Sequence, residues 1–279
     1  MNIASSFQGG QAMKWSLEAE QAVQKVPFFV RKRVRKRVEE HAAREGASLV
    51  TMEHVRTCQR RFLERMEEEV RGYQVETCFG PAGCPNRAVV VEGLVATLER
   101  LLAEKGLKEF LSQRVGGPLK LHHEFRVSVS DCPNACSRPQ IADLGLLGCR
   151  KPLVSEKKCE GCGACIQACK EGALLLDSEG PVLDPEKCLG CGQCIQVCPS
   201  GSLEEAVRGY RVLVGGKLGR HPRLAMELSG VHPGEEIPQL VGRILNLYMK
   251  ESQRGERLGE ILERKGWEVF LKELQQYGN

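Results

Sequence analysis

Along the first third of the chain, apolar residues recur at helical spacing. In residues 30–40, VRKRVRKRVEE, the side chains of Val30, Val34 and Val38 share one face, with cations around the rest. The interleaved valines, with Glu39 and Glu40, favour a solvated amphipathic helix over a nucleic-acid surface. Thr51 is placed to cap the next helix, whose stripe takes in Val55, Cys58, Phe62 and Met66, so Cys58 reads as an apolar filler. Leu94, Val95, Leu98, Leu101 and Leu102 predict a helix over 92–105 that stops at Gly106. Strands are expected at 124–130 and 211–214, where β-branched and apolar residues alternate with polar ones. Helix returns at 237–250 and 256–277.

Composition narrows the class. Of 279 residues, 42% are hydrophobic and 27% charged, the balance of a water-soluble chain. A net charge of +4 without a concentrated patch gives no reason to expect a nucleic-acid partner. No apolar run reaches the length of a membrane span, and no basic stretch leads into an apolar one at the N-terminus, so a cytoplasmic location is expected. Fourteen cysteines then dominate the picture. In a reducing compartment clustered thiols bind metal rather than forming a disulfide framework.

Two runs share one spacing: Cys159, Cys162, Cys165 and Cys169 in CEGCGACIQACK, and Cys188, Cys191, Cys194 and Cys198 in CLGCGQCIQVCP. Each reads C-x2-C-x2-C-x3-C, the bacterial ferredoxin pattern for [4Fe–4S] clusters, in which the fourth cysteine serves the other cluster. The expected ligand sets are therefore Cys159/Cys162/Cys165/Cys198 and Cys188/Cys191/Cys194/Cys169. Paired zinc sites, the alternative, rarely use this doubled spacing. Lys170 stands where proline commonly follows the last cysteine, whereas Pro199 fits the pattern.

Two further pairs remain, Cys78-x5-Cys84 and Cys132-x3-Cys136. Four thiolates on two separated loops suffice for a third [4Fe–4S] cluster with one side exposed. Cys132-Pro133-Asn134-Ala135-Cys136, the following IADLGLLG, and RVLVGGKLGRHPRLA at 211–225 resemble the siroheme-containing sulfite and nitrite reductases. The resemblance implies that Cys136 bridges the third cluster to siroheme iron. Siroheme carries eight carboxylates, so charge-assisted donors are expected around it: Arg87, Arg138, Lys217, Arg220 and Arg223, with Asn134 assisting. For the anion and its protons the resemblance points to Arg126, with Arg71, Lys120 and His123 (or His122) as further candidates. Glu124 occupies a position where lysine is common in that family. GGKLGR lacks the full phosphate-loop pattern.

The N-terminal segment, with Trp15, VPFFVR and a closing G-x-x-x-V-T, is similar to a small helical domain at the end of a light-independent protochlorophyllide reductase subunit. That likeness implies docking or oligomerisation rather than catalysis. The expected architecture is α+β: a helical accessory domain at 1–66, a siroheme reductase core at 67–150 and 205–250, a ferredoxin-like 2[4Fe–4S] insertion at 151–204, and a C-terminal helix at 251–279. The expected activity is reduction of sulfite to sulfide, with nitrite as the second substrate. An external electron-donor protein is needed, because no flavin or nicotinamide site is visible. Room for a single reductase repeat implies a homo-oligomer. The competing reading is an electron-transfer subunit that keeps its clusters and has lost siroheme.

Overall fold

The computed structural model describes residues 13–276, except for the side chains of residues 65–67. They form two compact units that divide between Glu69 and Val70.

In the first unit, β1 (Lys14–Trp15) pairs in parallel with β2 (Leu49–Val50), and three helices surround the pair: α1 (Leu17–Gln24), α2 (Phe28–Arg44) and α3 (Met52–Glu69). Ser16 caps α1 by accepting from the Ala19 amide. The valine face of α2 is graded: Val38 is buried, Val34 packs at the edge of the small core, and Phe28 and Phe29 stay exposed. Val55 and Cys58 of α3 pack against that core, whereas Phe62 is 50% exposed, so the expected stripe fails there. The Met66 side chain lies outside the described ones. Burial pushes the Cys58 thiol up, as an apolar filler requires.

The second unit is built on a five-stranded sheet. Its strands are β3 (Tyr73–Thr77), β4 (Phe125–Ser130), β5 (Leu144–Val154), β8 (Leu203–Val214) and β9 (Met226–Glu227), in that spatial order. β3, β4 and β5 run parallel, while β8 is antiparallel to both of its neighbours. Helices α4 (Leu94–Glu104), α5 (Leu107–Ser112), α8 (Ile237–Glu251), α9 (Leu258–Lys265) and α10 (Trp267–Gln276) belong to the same unit. Strand alternation turns Phe125, Val127 and Val129 into the core with Leu98, Ile244 and Tyr248 of α4 and α8. Gly106 stops α4 at φ +61°, as its position predicts, but Leu107 restarts a helix at once. The single helix expected over 256–277 is two, separated at Gly266 with φ +85°.

β5 and β8 are much longer than the expected strand at 211–214. They pair from Leu144↔Val214 out to Val154↔Leu203, with an irregularity between Lys151 and Pro152. The outer part of this ladder is an arm that carries the eight-cysteine segment. That segment holds two five-residue helices, α6 (Ala164–Ala168) and α7 (Gln193–Val197), and a hairpin of β6 (Leu174–Leu176) with β7 (Pro181–Leu183). Among the described residues no helix is long and apolar enough to cross a membrane.

Candidate functional site

The chemistry gathers at the end of β4. Ser128 and Ser130 alternate with the core valines and so share the opposite face of the sheet. Both hydroxyls meet Ser137: Ser128 Oγ donates to Ser137 O at 2.7 Å, and Ser130 Oγ lies 2.7 Å from Ser137 Oγ, which donates to Val129 O at 2.8 Å. This buried network ties down the loop that carries Cys132 and Cys136. Sequence reasoning missed it, although the alternation in FRVSVS was its visible signal.

The four core thiols meet there. Burial pushes the Cys132 thiol up, and the neighbouring thiols of Cys78, Cys136 and Cys84 push the same way. Amides of Gly80 and Asp131 donate to Cys78 Sγ at 3.3 Å each, and Asn134 Nδ2 donates to Cys136 Sγ at 3.0 Å. Cys132 is buried, whereas Cys136 is exposed.

In the eight-cysteine segment, burial raises Cys165 and the thiols of Cys198 and Cys159 add to it. Cys194 is pushed up to about 11 by burial, with further contributions from Cys191, Cys188 and Cys169. Cys198 thus lies near Cys165 of the first run, and Cys169 near Cys194 of the second. Burial acts to raise Cys198 as well, but the Ser202 and Ser200 hydroxyls and nearby amides bring it down to about 7. A cavity of about 650 Å³ is lined by residues of both regions, Cys132, Pro133 and Asn134 together with Cys169, Cys188, Cys191 and Cys194. Among the described residues no three His, Cys, Asp or Glu side chains converge on a single metal ion.

The cationic residues separate into two groups. Three have partners within the chain: Arg87 Nε donates to Asp131 at 2.8 Å, Lys217 Nζ to Glu260 at 2.9 Å, and Arg223 to Gly259 O at 2.8 Å, with Glu263 at 3.7 Å. Arg138 is largely exposed and meets Glu76 only at 3.8 Å, and Arg220 is exposed at the tip of the 217–223 turn. Arg126 has its Nε buried without a hydrogen-bond partner. Glu124 is 1% exposed. Its Oε1 accepts the Arg71 and Gly72 amides at 2.7 and 3.2 Å, which fixes Arg71 at the entrance to β3, and its Oε2 is unpartnered. Where lysine was expected, the carboxylate serves the backbone.

Behind Arg126 lies a pair that the sequence did not suggest. Asp143 is fully buried; it accepts the Arg126 amide at 2.8 Å and both sides of the Arg257 guanidinium, which also reaches His122 O at 3.0 Å. His123 Nδ1 accepts the Lys120 amide at 3.0 Å, which requires an unprotonated nitrogen. Burial lowers the His123 ring, and His122, Lys120 and Arg257 lower it further. The unfolded chain therefore takes up this proton near pH ~6.5 while the folded chain resists it. Stability should fall as the pH drops from about 6.5 through the lower folded value. A His123→Asn variant is expected to flatten that limb of denaturant midpoint against pH; an unchanged slope would exclude His123 as its source.

Residues 72–279 match the family described as "Nitrite and sulphite reductase 4Fe-4S domain", and residues 15–58 match that described as "Proto-chlorophyllide reductase 57 kD subunit". The chain is 38% identical over 198 residues to the coenzyme F420-dependent sulfite reductase of Methanocaldococcus jannaschii, a match covering 69% of this chain and 30% of that protein. It is 29% identical over 105 residues to one subunit of the anaerobic sulfite reductase of Salmonella typhimurium, covering 38% of this chain and 26% of that one. The chain thus spans under a third of either relative. A crystal structure of dissimilatory sulfite reductase I aligns with 74% of this chain and 52% of that one, with a TM-score of 0.49 and 20% identity.

Proposed function

The chain belongs to the nitrite and sulphite reductase 4Fe-4S domain family, and from that premise we propose that it is a siroheme-dependent sulfite reductase. The observation that carries the reading is the core thiol set, three sulfurs partly or fully buried and one, Cys136, exposed. Cys78, Cys84, Cys132 and Cys136 would hold one [4Fe–4S] cluster, and the exposed Cys136 would also hold siroheme. The crossed sets, Cys159/Cys162/Cys165/Cys198 and Cys188/Cys191/Cys194/Cys169, would hold two more.

The residues fit these groups. Amide and amide-side-chain donors to Cys78 and Cys136 suit ionised sulfur. The unpartnered Arg126 Nε and the loosely held Arg138 and Arg220 are suited to anions. When bound, the clusters supply single electrons and siroheme supplies the iron at which sulfite takes up six of them. Arg126, Arg71 and Lys120 would orient the anion, and the neutral ring of His123 would pass protons. Arg87, Lys217 and Arg223 are proposed to hold the walls of the siroheme pocket through their carboxylate and carbonyl partners, leaving Arg138, Arg220 and Asn134 for direct contact.

Sulfite and an external electron-donor protein are the proposed partners, with a second copy of the chain completing the site. Anaerobic turnover with a strong artificial reductant tests the substrate. Sulfide from sulfite, at a higher kcat/KM than ammonia from nitrite, is expected; no sulfide from fully iron-loaded protein would overturn the reading. The internal pairing of Arg87, Lys217 and Arg223 favours one second reading, an electron-transfer subunit without siroheme.

A further inference from the structure

Residues 148–150 of β5 touch both cysteine regions. On one side Gly148 lies against Asp131: a Cβ there would sit 2.3 Å from Asp131 O, and the Asp131 amide in turn donates to Cys78 Sγ. On the other side the Arg150 amide donates to Gly190 O at 2.7 Å, and Arg150 bridges to Cys191 in parallel register. Gly190 and Gly192 both have positive φ, +72° and +73°. A Cβ at Gly190 would sit 2.4 Å from Cys149 Sγ, and one at Gly192 would sit 2.8 Å from Arg150 Cδ. The seam is therefore packed without slack, and its polar end is closed by Arg150 Nε donating to Glu205 Oε2 at 2.6 Å.

We propose that Arg150 is a positioning residue for electron transfer, clamping the 188–194 loop to β5 and so setting the gap between the Cys169/Cys188/Cys191/Cys194 set and the Cys78/Cys84/Cys132/Cys136 set. The inference rests on the iron–sulfur reading above. The contacts along residues 148–150 restrain the loop beside the cavity that residues of both sets line, and the ladder beyond them is irregular between Lys151 and Pro152. Electron tunnelling falls exponentially with separation, so a restraint on the gap is a restraint on the rate. The step is a one-electron exchange: the segment's cluster is oxidised by one electron and the core cluster reduced by one. No bond forms or breaks, and no proton moves. Arg150 acts through the loop: its stem packs on Gly192 and its guanidinium is held by Glu205.

The test uses the full chain, purified anaerobically with its clusters. Arg150→Ala should retain the iron of the wild type while the magnetic coupling between reduced clusters, read as line broadening in electron paramagnetic resonance, weakens. Transfer from the eight-cysteine segment to the core should slow by about tenfold or more. Faster amide exchange in the 188–194 loop should accompany it, and Arg150→Lys, which keeps stem and charge, should recover most of the loss. Fully loaded Arg150→Ala with wild-type coupling and transfer rate would overturn the proposal. Should Arg150→Ala lose iron, Glu205→Gln decides: weaker coupling supports the clamp and unchanged coupling overturns it. A wild-type chain without [4Fe–4S] signals would instead overturn the underlying reading.

Discussion

Replacing Cys136 with serine should separate the two halves of the proposed site. The eight-cysteine segment shares no sulfur with the core set, so its two clusters should load as in the wild type, leaving about two thirds of the cluster iron in place. The tetrapyrrole should be lost and sulfide production should fall by more than the roughly 10–100-fold that outer-shell changes around a metal centre cost. Serine preserves the size of the side chain, and Cys136 lies on the exposed side of the loop, so the serine network at Ser137 keeps its bonds. Retention of siroheme by this variant would place the haem ligand elsewhere.

The largest effect on stability is expected at Asp143, a residue with no direct part in the chemistry. Its carboxylate has no solvent exposure and neutralises Arg257, whose Nε donates to it at 2.9 Å. It also satisfies the Arg126 amide at the start of β4. Asp143→Ala strands a largely buried guanidinium, left with only the His122 carbonyl among these partners, and a part-buried amide together. Breaking one side of such a pair costs about 3–5 kcal/mol, because the remaining charge keeps its desolvation penalty without its partner. For a unit of this size that corresponds to a fall of about 6–20 °C in the midpoint of thermal unfolding. Activity should fall further than stability alone explains, since Arg126 loses the anchor of its backbone. A change below about 1 kcal/mol would mean that Arg257 is solvated in the folded protein.

The fold class could be read from the chain, and what escaped has physical causes. Cysteine spacing points to candidate ligand sets because the first three cysteines of each ferredoxin-like run share one short loop. The α4 stripe was legible because its apolar period is unbroken from Leu94 to Leu102. β5 was not legible: residues 144–149 are buried without interruption, so LGLLGC shows no alternation. β8 was half-seen, because its outer part, LEEAVRGY, belongs to the arm and mixes charge with glycine. The role of Glu124 depends on amides 52 and 53 residues away, and the Asp143–Arg257 pair spans 114 residues. Neither partner can be inferred from neighbouring sequence. The docking of the 188–194 loop on β5 is equally non-local; its trace in the sequence is a pair of glycines that ferredoxin-like loops carry in any case.

The most direct measurement is the visible spectrum of the anaerobically purified wild-type chain, taken with its total iron and acid-labile sulfide. A chlorin-type absorption band, with iron in excess of that matched by labile sulfide, is the predicted result. Iron and sulfide in equal amounts without such a band would contradict the account, and would leave Cys136 a ligand to its cluster alone.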